Sequence, residues 1–347
     1  MTDPLPEKPP RRPRYRGKNP RGFAEKYKEL QPERYPDDVA KVLAGGKTPA
    51  GTHRPIMVAE ILDVLALKAG EVAVDCTLGY GGHARELLAA VQPGGRLIAL
   101  DADPIERPKA EARLRALGFP AESLVVRASN FAELAAVIGV EAPGGADVIL
   151  ADLGLSSMQI DDPTRGFGFK IDGPLDMRMD PSRGEPASAV LSRLDKHTLA
   201  GLLEANADEP ESEGLALAIL TAHRKSPITT TGLLATAIRA AYPRLSSGSA
   251  DDAVRRAFQA LRIEVNGEFS ALDTFLRDLP RCLKPGGRVA ILTFHSGEDR
   301  RVKAAFKAGL VDGSYASISR DVTRASPEEM RDNPRSSSAK LRYATVA

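Results

Sequence analysis

The sequence predicts an α/β fold: a parallel sheet covered on both faces and interrupted by an all-helical insertion. Three observations predict it. Apolar runs recur at Val72–Cys76, Arg96–Asp101, Leu124–Ala128 and Asp147–Leu153, continuous rather than alternating, as strands buried on both faces require. Helical stretches separate them, at His83–Val91, Ile105–Leu117 and Phe131–Ile138. Roughly Ala187–Val265 then reads as helices only, after which the strand and helix alternation resumes.

Taken in order, the chain starts with a basic arm. Residues 1–28 hold nine Lys/Arg and three Asp/Glu, a net of +6, against +2 for the whole chain. From Lys8 to Arg21 there are seven basic residues and no acidic one, punctuated by proline. Such an arm forms no core of its own and suits a polyphosphate partner, where each cationic contact releases counterions. Ala24–Leu43 has helical character, and glycines and Pro49 then break it. Ile56–Leu67 carries apolar residues at helical spacing. Ser156–Arg183 is polar and rich in Gly, Asp and Pro, and it reads as a long ordered loop. The insertion reads as Leu191–Glu204, Glu213–Arg224, Thr231–Ala241 and Ala253–Val265. A helical stripe at Glu268–Leu283, a Pro285-Gly286-Gly287 turn and a fifth strand at Arg288–Phe294 follow, then a polar tail after Leu310. The expected boundaries are 1–52 for the basic extension, 53–160 for the first part of the α/β domain, 161–262 for the loop and insertion, 263–310 for its second part, and 311–347 for the tail.

At 347 residues the chain has room for about two domains of roughly 100–200 residues each. Its two cysteines, Cys76 and Cys282, form at most one disulfide, which excludes a disulfide scaffold and fits a reducing compartment. No run approaches the roughly 18 apolar residues of a membrane span, and the N-terminus lacks the apolar core of a signal peptide. The expectation is a soluble cytoplasmic protein. His53, His295 and the cysteines have no metal-ligand spacing, so no metal site is expected.

The chemistry concentrates at strand ends. Asp75-Cys-Thr-Leu-Gly79-Tyr-Gly81-Gly82-His83 joins a strand to a helix, and glycines there let backbone pass close to a cofactor. Asp101 ends the next strand, where a carboxylate accepts from ribose hydroxyls. Neither feature alone separates NAD from S-adenosylmethionine. The order G-x-G-G-H departs from the dinucleotide fingerprint G-x-G-x-x-G, which disfavours NAD. Asp152, ending the fourth strand, points into the same crevice, because ligands of open α/β sheets bind outside the carboxyl ends of the strands. His83 at a helix start reads as a positioning residue, its charge disfavoured by the dipole.

The run Asp147–Phe169 together with Asp172-Gly-Pro-Leu-Asp-Met-Arg-Met-Asp180 closely resembles the RsmH (MraW) family. So do His53-Arg-Pro, Asp75–His83, Phe258–Asn266, Phe294-His-Ser and Asn333–Arg342. The resemblance implies a class I Rossmann-like S-adenosylmethionine-dependent methyltransferase with an inserted helical domain. It implies methylation of the exocyclic N4 of a cytosine in the decoding region of 16S rRNA, within the small ribosomal subunit. Carried over by motif, Gly81, Gly82 and His83 contact the cofactor, Asp101 takes its ribose, Phe131 flanks the adenine, and Asp152 and Gln159 complete the pocket. Asp152 is the first candidate to hold the substrate amine, with Ser156 second. Phe167 and Phe169 read equally as grips on a base and as core. Arg165, Arg178, Arg262 and Arg300 read as phosphate contacts or as ion pairs. The chain departs from the family pattern at Gly297, at Ala207–Glu211 and at Asp252-Ala253. Another RNA, DNA or a protein amine is the alternative substrate, and a non-catalytic RNA-binding role is the alternative class. A homodimer is left open.

Overall fold

The computed structural model describes residues 55–243 and 246–347. The basic arm, the Ala24–Leu43 stretch and His53 lie outside the described residues. Helix α1 (Val58–Leu65) leads into β1 (Val72–Asp75), α2 (Gly82–Ala90), β2 (Arg96–Asp101), α3 (Glu106–Arg115), β3 (Leu124–Ala128), α4 (Leu134–Glu141) and β4 (Ala146–Asp152). Strands β1 to β4 pair in parallel, as does β5 (Leu283–Thr293) against β4. Successive side chains go to opposite faces. Val148 and Leu150 join one apolar cluster with α1, α2 and α3, while Ile149 and Ala151 join the other with α4 and the helix before β5. The strands therefore need apolar residues at every position, which is why they read as unbroken runs.

With β6 at Tyr315–Ile318 and β7 at Lys340–Val346, the sheet order is β3-β2-β1-β4-β5-β7-β6. The chain moves outward from β1 to β2 and β3, then returns to place β4 on β1's other side. This reversal opens a crevice at the carboxyl ends of β1 and β4, bringing Asp75, Asp101 and Asp152 to one rim.

A short helix, α5 (Ser157–Asp161), follows β4. The insertion then contains α6 (Ala187–Arg193), α7 (Lys196–Ala207), α8 (Ser212–Lys225), α9 (Thr231–Ala241) and α10 (Ser247–Asn266). These pack around their own apolar cluster, which includes Leu203, Leu215, Ile219, Leu234, Ile238 and Leu261. The expected single helix Leu191–Glu204 is two. The chain turns at Leu194, and the Asp195 carboxylate accepts from Thr198 N at 2.7 Å to start α7 anew. Helix α10 runs without a break through residue 262, where the sequence placed the end of the insertion.

Helix α11 (Glu268–Asp278) leads to β5, and α12 (Ser296–Asp312) follows it. The segment read as a polar tail instead completes the sheet. Strand β6 (Tyr315–Ile318) and, after α13 (Pro327–Asp332), strand β7 (Lys340–Val346) pair antiparallel, with β7 also antiparallel to β5. Its charged side chains are neutralised in place: Arg342 and Lys340 both bind Asp299, at 2.7 and 3.2 Å. Among the described residues, no helix is long and apolar enough to cross a membrane.

Candidate active site

Gly81 has φ of 88°, a left-handed conformation that costs a residue with a Cβ, and it starts α2. Gly82 lies so close to Pro55 that a Cβ there would meet its ring carbons at 3.1 Å. The turn is held from β2: Asp101 Oδ2 accepts from Gly79 N at 2.7 Å and Oδ1 accepts from Asp103 N at 2.8 Å. Each oxygen keeps a lone pair for a further donor. Burial pushes the Asp101 carboxyl up to about 6, against the two amide donors.

Asp75, at the end of β1, is wholly buried. Its Oδ1 accepts from Thr77 N at 3.0 Å and from Thr77 Oγ1 at 3.5 Å, while Thr77 Oγ1 accepts from Asp152 N at 2.7 Å. Burial raises the Asp75 carboxyl to about 6, with His83 acting in the opposite direction. His83 Nε2 stands 3.5 Å from Asp152 Oδ2. The expectation that the helix dipole leaves this ring uncharged is corrected by its neighbours. Burial lowers its pKa, but Asp152 and Asp75 overcome that and raise it above the ordinary imidazole value. Asp75 Oδ2, His83 Nε2 and Asp152 Oδ1 are buried with no hydrogen-bond partner among the described residues.

The other expected site residues are placed as follows. Phe131 follows β3, half-buried, with its ring edge-on to Phe275 at 5.6 Å. Ser156 caps α5, its Oγ accepting from Gln159 N at 3.3 Å. Gln159 closes the box by accepting from Ser156 N at 2.9 Å, and its Nε2 donates to Asp103 Oδ2 at 2.7 Å. Of the two candidates for holding a substrate amine, Asp152 thus presents an unpartnered oxygen and Ser156 a helix cap. Phe167 and Phe169 both pack with the insertion's core, Phe169 edge-on to Phe258 at 5.5 Å. All four singled-out arginines are in ion pairs: Arg165 with Asp103, Arg178 with Asp176, Arg262 with Glu268 and Arg300 with Asp208. His295 caps α12, its Nδ1 accepting from Glu298 N at 3.4 Å.

Sequence reasoning missed Asp103 and assigned Arg165 no fixed role. Their side chains, 1% and 6% exposed, pair at 2.8 Å, and Arg165 also donates to the carbonyls of Arg178 and Met179. The pair ties the end of β2 to the loop that leads into the insertion. Nothing in the local sequence marks a contact across 62 positions.

The unpartnered atoms, the glycine turn and the ribose-type carboxylate fit an adenosyl amino acid. On this sheet they make a Rossmann-like site of the kind that takes an adenosine-bearing cofactor. Gly81, Gly82, Asp101 and Asp152 are the residues whose geometry suits holding it. Among the described residues, no group of His, Cys, Asp and Glu could hold a metal ion.

The MraW methylase family model matches residues 50–347, and the chain belongs to that family. It is 48% identical to ribosomal RNA small subunit methyltransferase H 1 of Lachnoclostridium phytofermentans, over 97% of this chain and 93% of that protein. It is 47% identical to the protein of the same name from Agathobacter rectalis, over 97% of each chain. Among solved structures, an S-adenosylmethionine-dependent O-methyltransferase from Thermotoga maritima aligns with 90% of this chain and 72% of its own. Its identity is 12% and its TM-score 0.41, too distant a likeness to argue from.

Proposed function

We propose that the protein transfers a methyl group from S-adenosylmethionine to the exocyclic N4 of a cytosine in the decoding region of 16S rRNA, with the assembled small subunit as substrate. The observation that carries the chemistry is the buried Oδ1 of Asp152 at the carboxyl end of β4, which has no hydrogen-bond partner among the described residues. The choice of rRNA rests on family membership and on relatives named for the small-subunit RNA. When bound, the cofactor supplies an electrophilic methyl on a sulfonium. The protein supplies position and electrostatics.

A cytosine amine is a weak nucleophile, because its lone pair is delocalised into the ring. Asp152, accepting one N–H, turns the lone pair outward and stabilises the positive charge that develops on nitrogen. Asp101 orients the donor through its ribose, and Phe131 flanks the adenine. Gln159 acts from behind, bracing Asp103 and through it Asp101. The target base must be unstacked to reach a crevice of this kind. A cytoplasmic site of action follows from that substrate.

The test is methyl transfer from labelled S-adenosylmethionine to small subunits lacking the modification, read by nucleoside mass spectrometry. N4-methylated cytidine is the expected product. Label on another nucleoside, or none despite cofactor binding, would discard the substrate.

A further inference from the structure

Arg165 and Asp103 form a buried ion pair where the cofactor crevice meets the loop into the insertion. Desolvation offsets much of the attraction in such a pair, so an apolar pair of similar volume would stabilise the fold about as well. Nε of Arg165 also lacks a hydrogen-bond partner among the described residues. The pair calls for a reason other than stability, and its contacts supply one.

On one side the pair reaches the ribose carboxylate. Asp103 N donates to Asp101 Oδ1 at 2.8 Å, so the position of Asp103 sets how the Asp101 carboxylate is turned. The Asp103 side chain is itself fixed at both oxygens. Oδ1 accepts from Ile105 N at 2.8 Å and from Glu106 N at 3.2 Å. Oδ2 accepts from Gln159 Nε2 at 2.7 Å and from Arg165 Nη1 at 2.8 Å. Arg165 supplies the charge among these donors.

On the other side the pair reaches α10. Arg165 Nη2 donates to the carbonyls of Arg178 and Met179 at 3.1 and 2.9 Å, and the Arg165 carbonyl accepts from Met177 N at 3.0 Å. Asn266, the last residue of α10, clasps the same stretch. Its Oδ1 accepts from Met179 N at 2.7 Å, and its Nδ2 donates to the Met177 carbonyl at 2.8 Å. Between these contacts Met177 has φ of 64°, a left-handed conformation that persists only where the surroundings over-determine it.

We propose that Arg165 is a positioning residue for the methyl donor: anchored to the insertion through Asn266, it holds Asp103, and through Asp103 it sets the Asp101 carboxylate that takes the ribose. The inference rests on the reading of Asp101 as the ribose acceptor. It makes the insertion a support of the cofactor site. A guanidinium suits this place, because its planar fork gives one nitrogen to a carboxylate and another to two carbonyls. The contact with Asp103 uses a single nitrogen, which a lysine ammonium can reproduce.

Calorimetry of S-adenosylhomocysteine binding to the full chain tests this, at a temperature where melting curves show each variant folded. Arg165→Met is expected to bind at least about tenfold more weakly, because a displaced carboxylate no longer meets the ribose. Arg165→Lys returns a cation to Asp103 and is expected within about threefold of wild type. Adding Arg165→Met to Asp101→Asn should change affinity by less than about twofold, since both act through one carboxylate, whereas independent sites would multiply their effects. Asn266→Ala leaves the ion pair in place and loosens its anchor, and is expected to weaken binding about threefold. A folded Arg165→Met with wild-type affinity and a lower melting temperature would make the pair a structural contact and overturn the proposal. So would multiplied losses in the double variant, or Arg165→Lys binding no better than Arg165→Met. Wild-type affinity in Asn266→Ala overturns it too, and decides the matter if Arg165→Met does not fold. Undiminished affinity in Asp101→Asn would fail the ribose reading and the inference with it. A weakened Asp101→Asn beside an undiminished Arg165→Met fails the inference alone. No arm uses RNA, so an error in the substrate leaves this test intact.

Discussion

Two buried carboxylates show how differently the sheet and the insertion treat the same group. Glu209, between α7 and α8, is 2% exposed. It is fully engaged: Tyr242 Oη donates at 3.1 Å, Glu211 N at 3.2 Å and Arg256 Nε at 2.7 Å. Asp75 is as deeply buried, yet among the described residues one of its oxygens has no hydrogen-bond partner, and one oxygen of Asp152 shares the shortage. Partners close at hand make a buried charge structural. A shortage of partners at strand ends marks where a ligand supplies them. Glu209 therefore serves the insertion's own packing, while the crevice keeps open acceptors that a ligand would fill.

The contrast breaks most visibly at the pair that spans it. Arg165→Met removes the cationic partner of the buried Asp103, which keeps only neutral donors from Gln159 and the backbone, and the cost expected is about 3 kcal/mol in urea denaturation. A loss below about 1 kcal/mol would mean that the pair is dispensable. Asp152→Ala is expected to lower methyl transfer by about 10²–10³-fold with little change in melting temperature. Retention of more than a tenth of wild-type kcat would remove Asp152 from the chemistry.

Asp75→Asn has the opposite sign. The folded carboxyl titrates near 6, above its usual 3.8, so the folded state binds the proton more tightly than the unfolded chain. Stability from this group is present at low pH and is lost as pH rises through roughly 4 to 6. Asparagine has no proton to lose. The variant should therefore gain on wild type across that window by up to about 3 kcal/mol, at about 1.4 kcal/mol per unit. Melting curves at pH 4.5 and 7.5 check it, and equal differences at both would contradict it. Glu209→Ala should cost about 1–3 kcal/mol and leave methyl transfer per folded molecule unchanged.

The sequence made the sheet centre legible, because strands buried on both faces carry apolar residues throughout, as in Ala146–Asp152. Strands β6 and β7 were not legible. Lys340 and Arg342 look like solvated charges until Asp299, contributed by α12, is placed beside them. Asp101 and Asp152 could be picked out, since a carboxylate closing an apolar run in an α/β sheet faces the crevice. The pairing of Asp103 with Arg165, and the approach of His83 to Asp152, depend on the folded loops.

One departure from the family pattern also becomes intelligible in the structure. A Cβ at Gly297 would come within 2.5 Å of the Phe269 ring, which fills the space beside it. In the same region Asp208, within another departure, binds Ser296 and Arg300. Both departures thus meet the first turn of α12, Gly297 packing against α11 and Asp208 reaching it from the insertion.

The crevice's open acceptors await a ligand, whereas Glu209 in the insertion does not. Thermal melting with and without S-adenosylmethionine tests it most directly, on wild type, Asp101→Asn and Glu209→Gln. A ligand at a hundred times its dissociation constant stabilises the folded state by about 2.7 kcal/mol. That shift is expected for wild type and for Glu209→Gln, and its loss is expected in Asp101→Asn. A full shift in Asp101→Asn, or none in wild type, would contradict it.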